Sequence, residues 1–158
     1  MEKKLNLLMF SGDYDKALAG LVLANSAKNI GADVSIFFAF WGLCIIRDPE
    51  KIDLKDKTAY EKMFEMVTPK GVEELPLSKM NMSGIGKKML VKMMGDAEKP
   101  SLAAFLNGAI KKGVKLYACK LSVEVMGFKE NELISEVKII TAEEYLKDAF
   151  NSNIQLFI

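Results

Sequence analysis

The sequence predicts an α/β protein: a three-layer, open, mainly parallel five-stranded sheet with helices on both faces. Short apolar runs of strand length alternate with segments of helical period. Strand, helix and strand follow one another within the first forty residues, which calls for a parallel pair joined by a right-handed crossover. The 158 residues are 50% hydrophobic and 27% charged, the make-up of one domain that buries roughly 70% of its unfolded surface.

Leu5–Phe10 (LNLLMF) reads as the first buried strand, closed by Ser11-Gly12-Asp13. From Asp15 apolar residues recur at threes and fours (Leu18, Leu21, Val22, Ala24), giving a helix that ends before Gly31. Val34–Phe40 (VSIFFAF) is β-branched and aromatic, a second strand. Trp41–Arg47 then makes a helical turn stopped by Pro49. Thr58 and Glu61 form a capping box for a helix running to Val67, and Pro69, Gly71 and Pro76 punctuate a loop. Lys79–Gly95 is dense in methionine and reads either as adaptable core or as a mobile flap or sticky face. Ser101 caps an amphipathic helix through Leu102, Phe105, Leu106, Ala109 and Ile110, ending at Gly113. Val114–Cys119 is strand three, followed by a helical stretch that reaches Met126 and stops at Gly127. Val137–Ile140 is strand four, Thr141 and Glu144 cap a last helix, and Ile154–Ile158 closes the sheet. The expected organisation is a single domain over 1–158, with an irregular Met-rich insertion at about 50–100.

Charge and composition exclude several classes. With 22 basic and 21 acidic residues, the net charge of +1 gives no reason to expect nucleic acid. The absence of histidine removes Ser–His–Asp hydrolysis, His-ligated zinc and imidazole acid–base chemistry. Two cysteines far apart in sequence make a poor metal site, and no cofactor is expected. No apolar run is long enough to span a membrane, although the lysine-rich methionine segment leaves peripheral contact with a membrane surface open. The N-terminus is too short and too mixed in its apolar run for a signal peptide, so the expected location is cytoplasmic with reduced thiols.

In an open parallel sheet, ligands bind outside the carboxyl ends of the strands. Three loops leave that edge after the first three strands: Ser11–Asp15, Trp41–Cys44 and Cys119–Ser122. Ser11–Lys16 places Gly12 between a strand and a helix but lacks the spacing of a P-loop or a dinucleotide fingerprint. Asp13 and Asp15 would also repel a phosphate there, and they read instead as complements of the helix dipole. Cys119 is the leading candidate for chemistry. A strand ending in cysteine and turning into a helix puts the sulfur beside the free N–H groups of Leu121, Ser122 and Val123, a setting that favours the reactive thiolate. Its neighbour Lys120 adds charge if it faces the sulfur, and otherwise is a solvated lysine. The alternative is an inert cysteine finishing a buried strand. Cys44 lies among Leu43, Ile45 and Ile46 and reads first as a packed residue, second as a thiol that resolves Cys119.

The phrase LYACKLSVEVMG from Leu116, with Lys129–Ile134 (KENELI) after it, resembles the DsrE/DsrF-like family, specifically its DsrE2-like branch. So do Asp15-Lys16-Ala17, FFAFWGL from Phe37, LPLSKMNMSGIGKKM from Leu75 and the final NIQLFI. The resemblance implies a DsrE-like sheet, a homo-oligomer and a role in sulfur trafficking. Better-known relatives are sulfur-relay proteins that carry sulfane sulfur as a cysteine persulfide. Cys119 falls on the cysteine of the branch's motif, whereas Cys44 stands where asparagine is usual. The implied activity is that of a sulfurtransferase or sulfur carrier, with sulfur-donor and sulfur-acceptor proteins or small thiols as partners. Trp41 and the methionine segment would then keep water from the persulfide. The rival readings are a thiol redox protein using Cys119 with Cys44, and a non-enzymatic interaction module.

Overall fold

Five parallel strands form one sheet in the computed structural model, which describes residues 2–158. In chain order the regular elements are β1 (Lys4–Met9), α1 (Tyr14–Asn29), β2 (Asp33–Phe38), α2 (Ala59–Val67), α3 (Ile85–Asp96), α4 (Leu102–Lys111), β3 (Lys115–Cys119), α5 (Lys120–Val125), β4 (Val137–Ile140), α6 (Ala142–Phe150) and β5 (Ile154–Phe157). The strand order is β4-β3-β2-β1-β5, and every pairing is parallel. Successive side chains alternate across a strand, so the register assigns each residue to a face. Leu7, Ile36, Leu116 and their neighbours on one face pack with Leu21, Ala24, Leu106 and Ala109 of α1 and α4 into the main core. Those two helices are tied together by Asn25, whose Nδ2 donates to Leu21 O at 2.8 Å and Phe105 O at 2.9 Å.

The opposite face carries Asn6, Leu8, Ser35, Phe37, Tyr117 and Cys119, with α6 lying over part of it. Here Asp148 of α6 accepts from Asn6 Nδ2 at 2.8 Å and from Ser35 Oγ, and pairs with Lys4. Tyr145, one turn earlier, stacks on Phe37 at 4.4 Å. A nine-residue helix covers this side, so the sheet's second face is only partly roofed.

The predicted elements recur with small shifts that have local causes. β2 stops at Phe38 rather than Phe40 because Phe40 takes a left-handed backbone (φ 49°) that breaks the ladder. A 3-10 helix over Phe40–Ile45 follows, and Asp48 caps a separate short turn that Pro49 begins. All three capping residues act as predicted: Thr58 and Thr141 in full boxes, Ser101 through its hydroxyl to Ala104 N. In α1 the buried stripe is Tyr14, Ala17, Leu21 and Ala24, whereas Val22 faces outward.

The segment between β2 and α4 is anchored by buried ions that the sequence did not flag. Arg47 pairs with Glu65, Lys57 pairs with Glu65 at 3.1 Å, and Lys57 pairs with Glu132 at 2.8 Å. All four are nearly inaccessible, and the Arg47 guanidinium lies 4.1 Å over the Phe128 ring. Two cations meet two anions, which is how buried charge is tolerated. The core reading of the methionine stretch is overturned. Met80, Met82, Met89 and Met93 are exposed, α3 has no buried residue, and only Leu90 and Met94 touch the core. α3 docks at the edge of the core, through Leu90 and Met94 and through Lys87, which lies over Tyr14 and donates to Glu73 O.

Candidate functional site

Cys119 ends β3, opposite Ile140 of β4, and is itself the N-cap residue of α5. The alternation along Lys115, Tyr117 and Cys119 sends its side chain to the α6 face. There it packs in a small cluster with Phe37, Ala39 and Ile140, flanked by Leu8, Phe40, Tyr117 and Tyr145. It is a free thiol, 8% exposed, behind an apolar and aromatic wall. α5 has only six residues, and the Cys119 side chain makes no capping hydrogen bond to its first-turn N–H groups, so the expected seat of the sulfur on those N–H groups is not formed: the strand register turns the side chain to the α6 face instead.

Of the neighbours singled out in the sequence, Leu121 and Lys120 are exposed and Ser122 and Val123 are buried on the inner face of α5. Ser122 Oγ has no hydrogen-bond partner among the described residues. Trp41 does not join the Cys119 cluster: its ring lies 5.9 Å from Phe64, and it lines a largely apolar groove of about 660 Å³ with Met63, Phe64, Val125 and Met126. Phe40 is the residue common to that groove and to the wall of Cys119. The methionine segment contributes nothing to the cluster either, because α3 sits by the β1–α1 loop.

Gly12, Asp15 and Cys44 belong elsewhere on the rim. A Cβ at Gly12 would come within 2.6 Å of Trp41 O, so Gly12 permits the close approach of two rim loops. Asp15 accepts from Ser78 N at 2.8 Å and from Ser78 Oγ, fastening the Leu77–Ser78 loop to α1. Burial pushes its pKa up, but the Ser78 bonds outweigh that and hold the carboxyl below its ordinary value. Cys44 is 1% exposed, packs in the main core and borders a cavity of about 320 Å³ with Ser11, Gly12, Asp13 and Trp41. Burial, opposed by Arg47 and reinforced by Glu65, pushes its thiol up to about 11. Cys44 therefore stays protonated near neutrality and sits in a different apolar cluster from Cys119.

The wall residues Phe37, Ala39, Phe40, Ile140 and Tyr145 were not legible as site residues. They come from two strand ends and one helix, and each reads in sequence as ordinary core. No residue type in the sequence marks the break at Phe40, whose backbone is left-handed (φ 49°) although it is not glycine. Among the described residues no cluster of three or more cysteine and acidic side chains is placed to hold a metal ion. No helix among them is long and apolar enough to cross a membrane.

The sequence profile of the DsrE/DsrF/DrsH-like family matches residues 1–157. The uncharacterized protein YrkE of Bacillus subtilis (strain 168) is 38% identical over 156 residues, covering 99% of this chain and 97% of that protein. The sulfur carrier protein DsrE2 of Allochromatium vinosum is 25% identical over 157 residues, covering 99% of each chain. Among solved structures, the ychN protein from E. coli matches with a TM-score of 0.53 over 100% of both chains. Their identity is 11%, so that likeness is one of fold.

Proposed function

The chain belongs to the DsrE/DsrF/DrsH-like family, and from that premise we propose that it relays sulfane sulfur, held as a persulfide on Cys119 and passed to a thiol acceptor. The observation that carries this reading is the position of Cys119, a free thiol at the carboxyl end of an interior strand, walled by Phe37, Ala39 and Ile140. The 25% identical relative that is named a sulfur carrier supports the same chemistry.

The transfer is two thiol exchange steps without net oxidation. The Cys119 thiolate attacks the outer sulfur of a donor R–S–SH. A new S–S bond forms to Cys119, the donor's S–S bond breaks, and the donor leaves as the thiolate R–S⁻ with the electron pair. In the second step an acceptor thiolate attacks the outer sulfur of Cys119–S–SH, becomes the persulfide, and returns Cys119 as thiolate. Thiosulfate serves the first step equally, leaving as sulfite. The apolar wall limits water around the loaded sulfur. Exposed Leu121 and Val125 on α5 give a donor or acceptor an apolar surface to approach along. A homo-oligomer is part of the proposal, supported by the exposed edge strand β5 and its Ile154 and Phe157, the latter 70% exposed.

Incubation with thiosulfate or polysulfide tests the proposal through intact-mass spectra. The expected result is one added sulfur on the wild type and on Cys44→Ser, removed by a thiol acceptor, and none on Cys119→Ser. Loading that persists in Cys119→Ser, or a wild type that no donor loads, overturns it.

A further inference from the structure

Helix α2 is turned inside out. A helix on the surface of a globular protein normally buries its apolar stripe and shows its charges to water. In α2 the one buried residue is Glu65, while Tyr60, Met63, Met66 and Val67 are exposed, Tyr60 by 85% and Met66 by 80%. The orientation has a cause. Glu65 is held inward by Arg47 and Lys57, and Glu61 accepts from Thr58 N at 2.6 Å, so the helix cannot roll its apolar side onto the core. That side forms one wall of the groove of about 660 Å³, with Val125 and Met126 at the end of α5 opposite and Trp41 half exposed within it. Trp41, Tyr60, Met63, Met66, Val67 and Val125 together expose on the order of 800 Å², more than the largest apolar patch of a typical monomer.

We propose that this face joins two copies of the chain about a two-fold axis, α2 of each copy seated in the groove of the other. A two-fold interface is self-complementary, because the same patch serves on both sides. The face meets that demand: Met63 and Met66 make an apolar ridge on the outward side of α2, beside a groove of the same character. Its tryptophan, tyrosine and methionines are the residues enriched where subunits meet, and Glu61, the one charged residue lining the groove, is already bonded to Thr58 N. The exposed area matches one side of a standard interface, about 800 Å² per partner. Lys62 on α2 and Glu124 on α5 are both exposed, one cation and one anion, so the face lacks the basic excess that an anionic bilayer selects. The two-fold dimer gives the homo-oligomer of the sulfur-relay reading its face, and rests on that part of the reading alone. Val125 is then shared with the second copy, while Leu121, which does not line the groove, remains for donor and acceptor.

The test follows sedimentation velocity and the fluorescence of Trp41, the one tryptophan of the sequence, over a dilution series of the full chain. The concentrated wild type is expected to sediment at twice the chain mass of 17.6 kDa. As the dimer parts, by dilution or by substitution, Trp41 emission is expected to move to longer wavelength and its quenching by acrylamide to rise. Tyr60→Asp puts an anion in the first turn of α2 and Met66→Lys a cation in the last, both favourable to the helix, so the variants are expected to fold as the wild type does. Each is expected to weaken the dimer at least about tenfold, because it buries a charge in an apolar interface. Ile154→Lys, on the exposed edge strand β5, is expected to leave it intact. A dimer that persists in both α2 variants, or that Ile154→Lys dissolves instead, would overturn the face while leaving a homo-oligomer in place. Dissociation without any change at Trp41 would overturn it as well. A wild type that stays monomeric, even where anionic vesicles shift Trp41 to shorter wavelength, overturns both the face and the homo-oligomer. Sulfur loading on Cys119, read separately by intact mass, is decided independently of all these outcomes.

Discussion

Cys119 and Cys44 are both free and both buried, yet their surroundings set them apart. Cys44 has the deeper site, 1% exposed in the main core, with a thiol pushed up to about 11 by burial. Cys119 stands at a strand end with the N–H groups of a helical turn after it and exposed Leu121 and Lys120 alongside. Limited alkylation at neutral pH is therefore expected to modify Cys119 first, with Cys44 reacting only on unfolding, as read by peptide mass mapping. The position of Cys119 was legible in sequence because an apolar run leaving Gly113 and ending in a thiol has one natural place in a parallel sheet. Its wall was not legible, since Phe37, Ile140 and Tyr145 meet only through strand register and the return of α6 across the sheet. Buried Arg47, Lys57, Glu65 and Glu132 were missed for a related reason. Each looks like a solvated charge until long-range folding pairs it.

At the level of elements, the rim is built by tight backbone approaches. A Cβ at Gly42 would fall 1.9 Å from Met9 O, while Gly42 N donates to Phe10 O at 2.9 Å. That contact holds the 3-10 helix carrying Phe40 against the end of β1. Gly42→Ala is expected to destabilise the fold by about 1–3 kcal/mol or more, because backbone must move to admit the methyl. Denaturant unfolding measures it. The lid on the second face depends instead on one helix. Tyr145 stacks on Phe37 at 4.4 Å, and both border Cys119. Tyr145→Ala is expected to lower stability by about 1–3 kcal/mol and to speed the alkylation of Cys119, since the flanking ring is gone. Strand and helix types were legible from period and capping boxes. The site of α3 was not, because a methionine-rich amphipathic stretch reads alike as core and as surface.

For the molecule as a whole, the insertion and the sheet share buried charges, and so are expected to unfold together. Lys57 bridges Glu65 of α2 and Glu132 beyond α5, and Asp53 N also donates to Glu132 at 3.2 Å. Lys57→Met leaves Glu132 without its cation and Glu65 with Arg47 alone, and is expected to cost about 3–5 kcal/mol in a single cooperative transition. Acid should act through the same groups. Burial raises the pKa of Glu65, but its bonds to Arg47 and Lys57 outweigh that and hold it below its ordinary 4.5. At Asp148, burial is likewise outweighed by Lys4, Ser35 and Asn6, holding it below 3.8. A carboxyl whose pKa falls on folding stabilises the native state above its unfolded value and stops doing so as pH drops through its folded one. Stability is therefore expected to be level above about pH 5 and to fall as pH descends below 4.5 and then 3.8, in a thermal series across that range.

Peptide mapping of the polysulfide-loaded wild type shows whether the sulfur rides on Cys119. Trapping the persulfide by alkylation before digestion fixes the sulfur where it sits. The extra sulfur is expected on the peptide containing Cys119, with the Cys44 peptide unmodified, and is expected to leave Cys119 once a thiol acceptor is added. Sulfur found on Cys44, or a Cys119 peptide that never gains it, would contradict relay through Cys119.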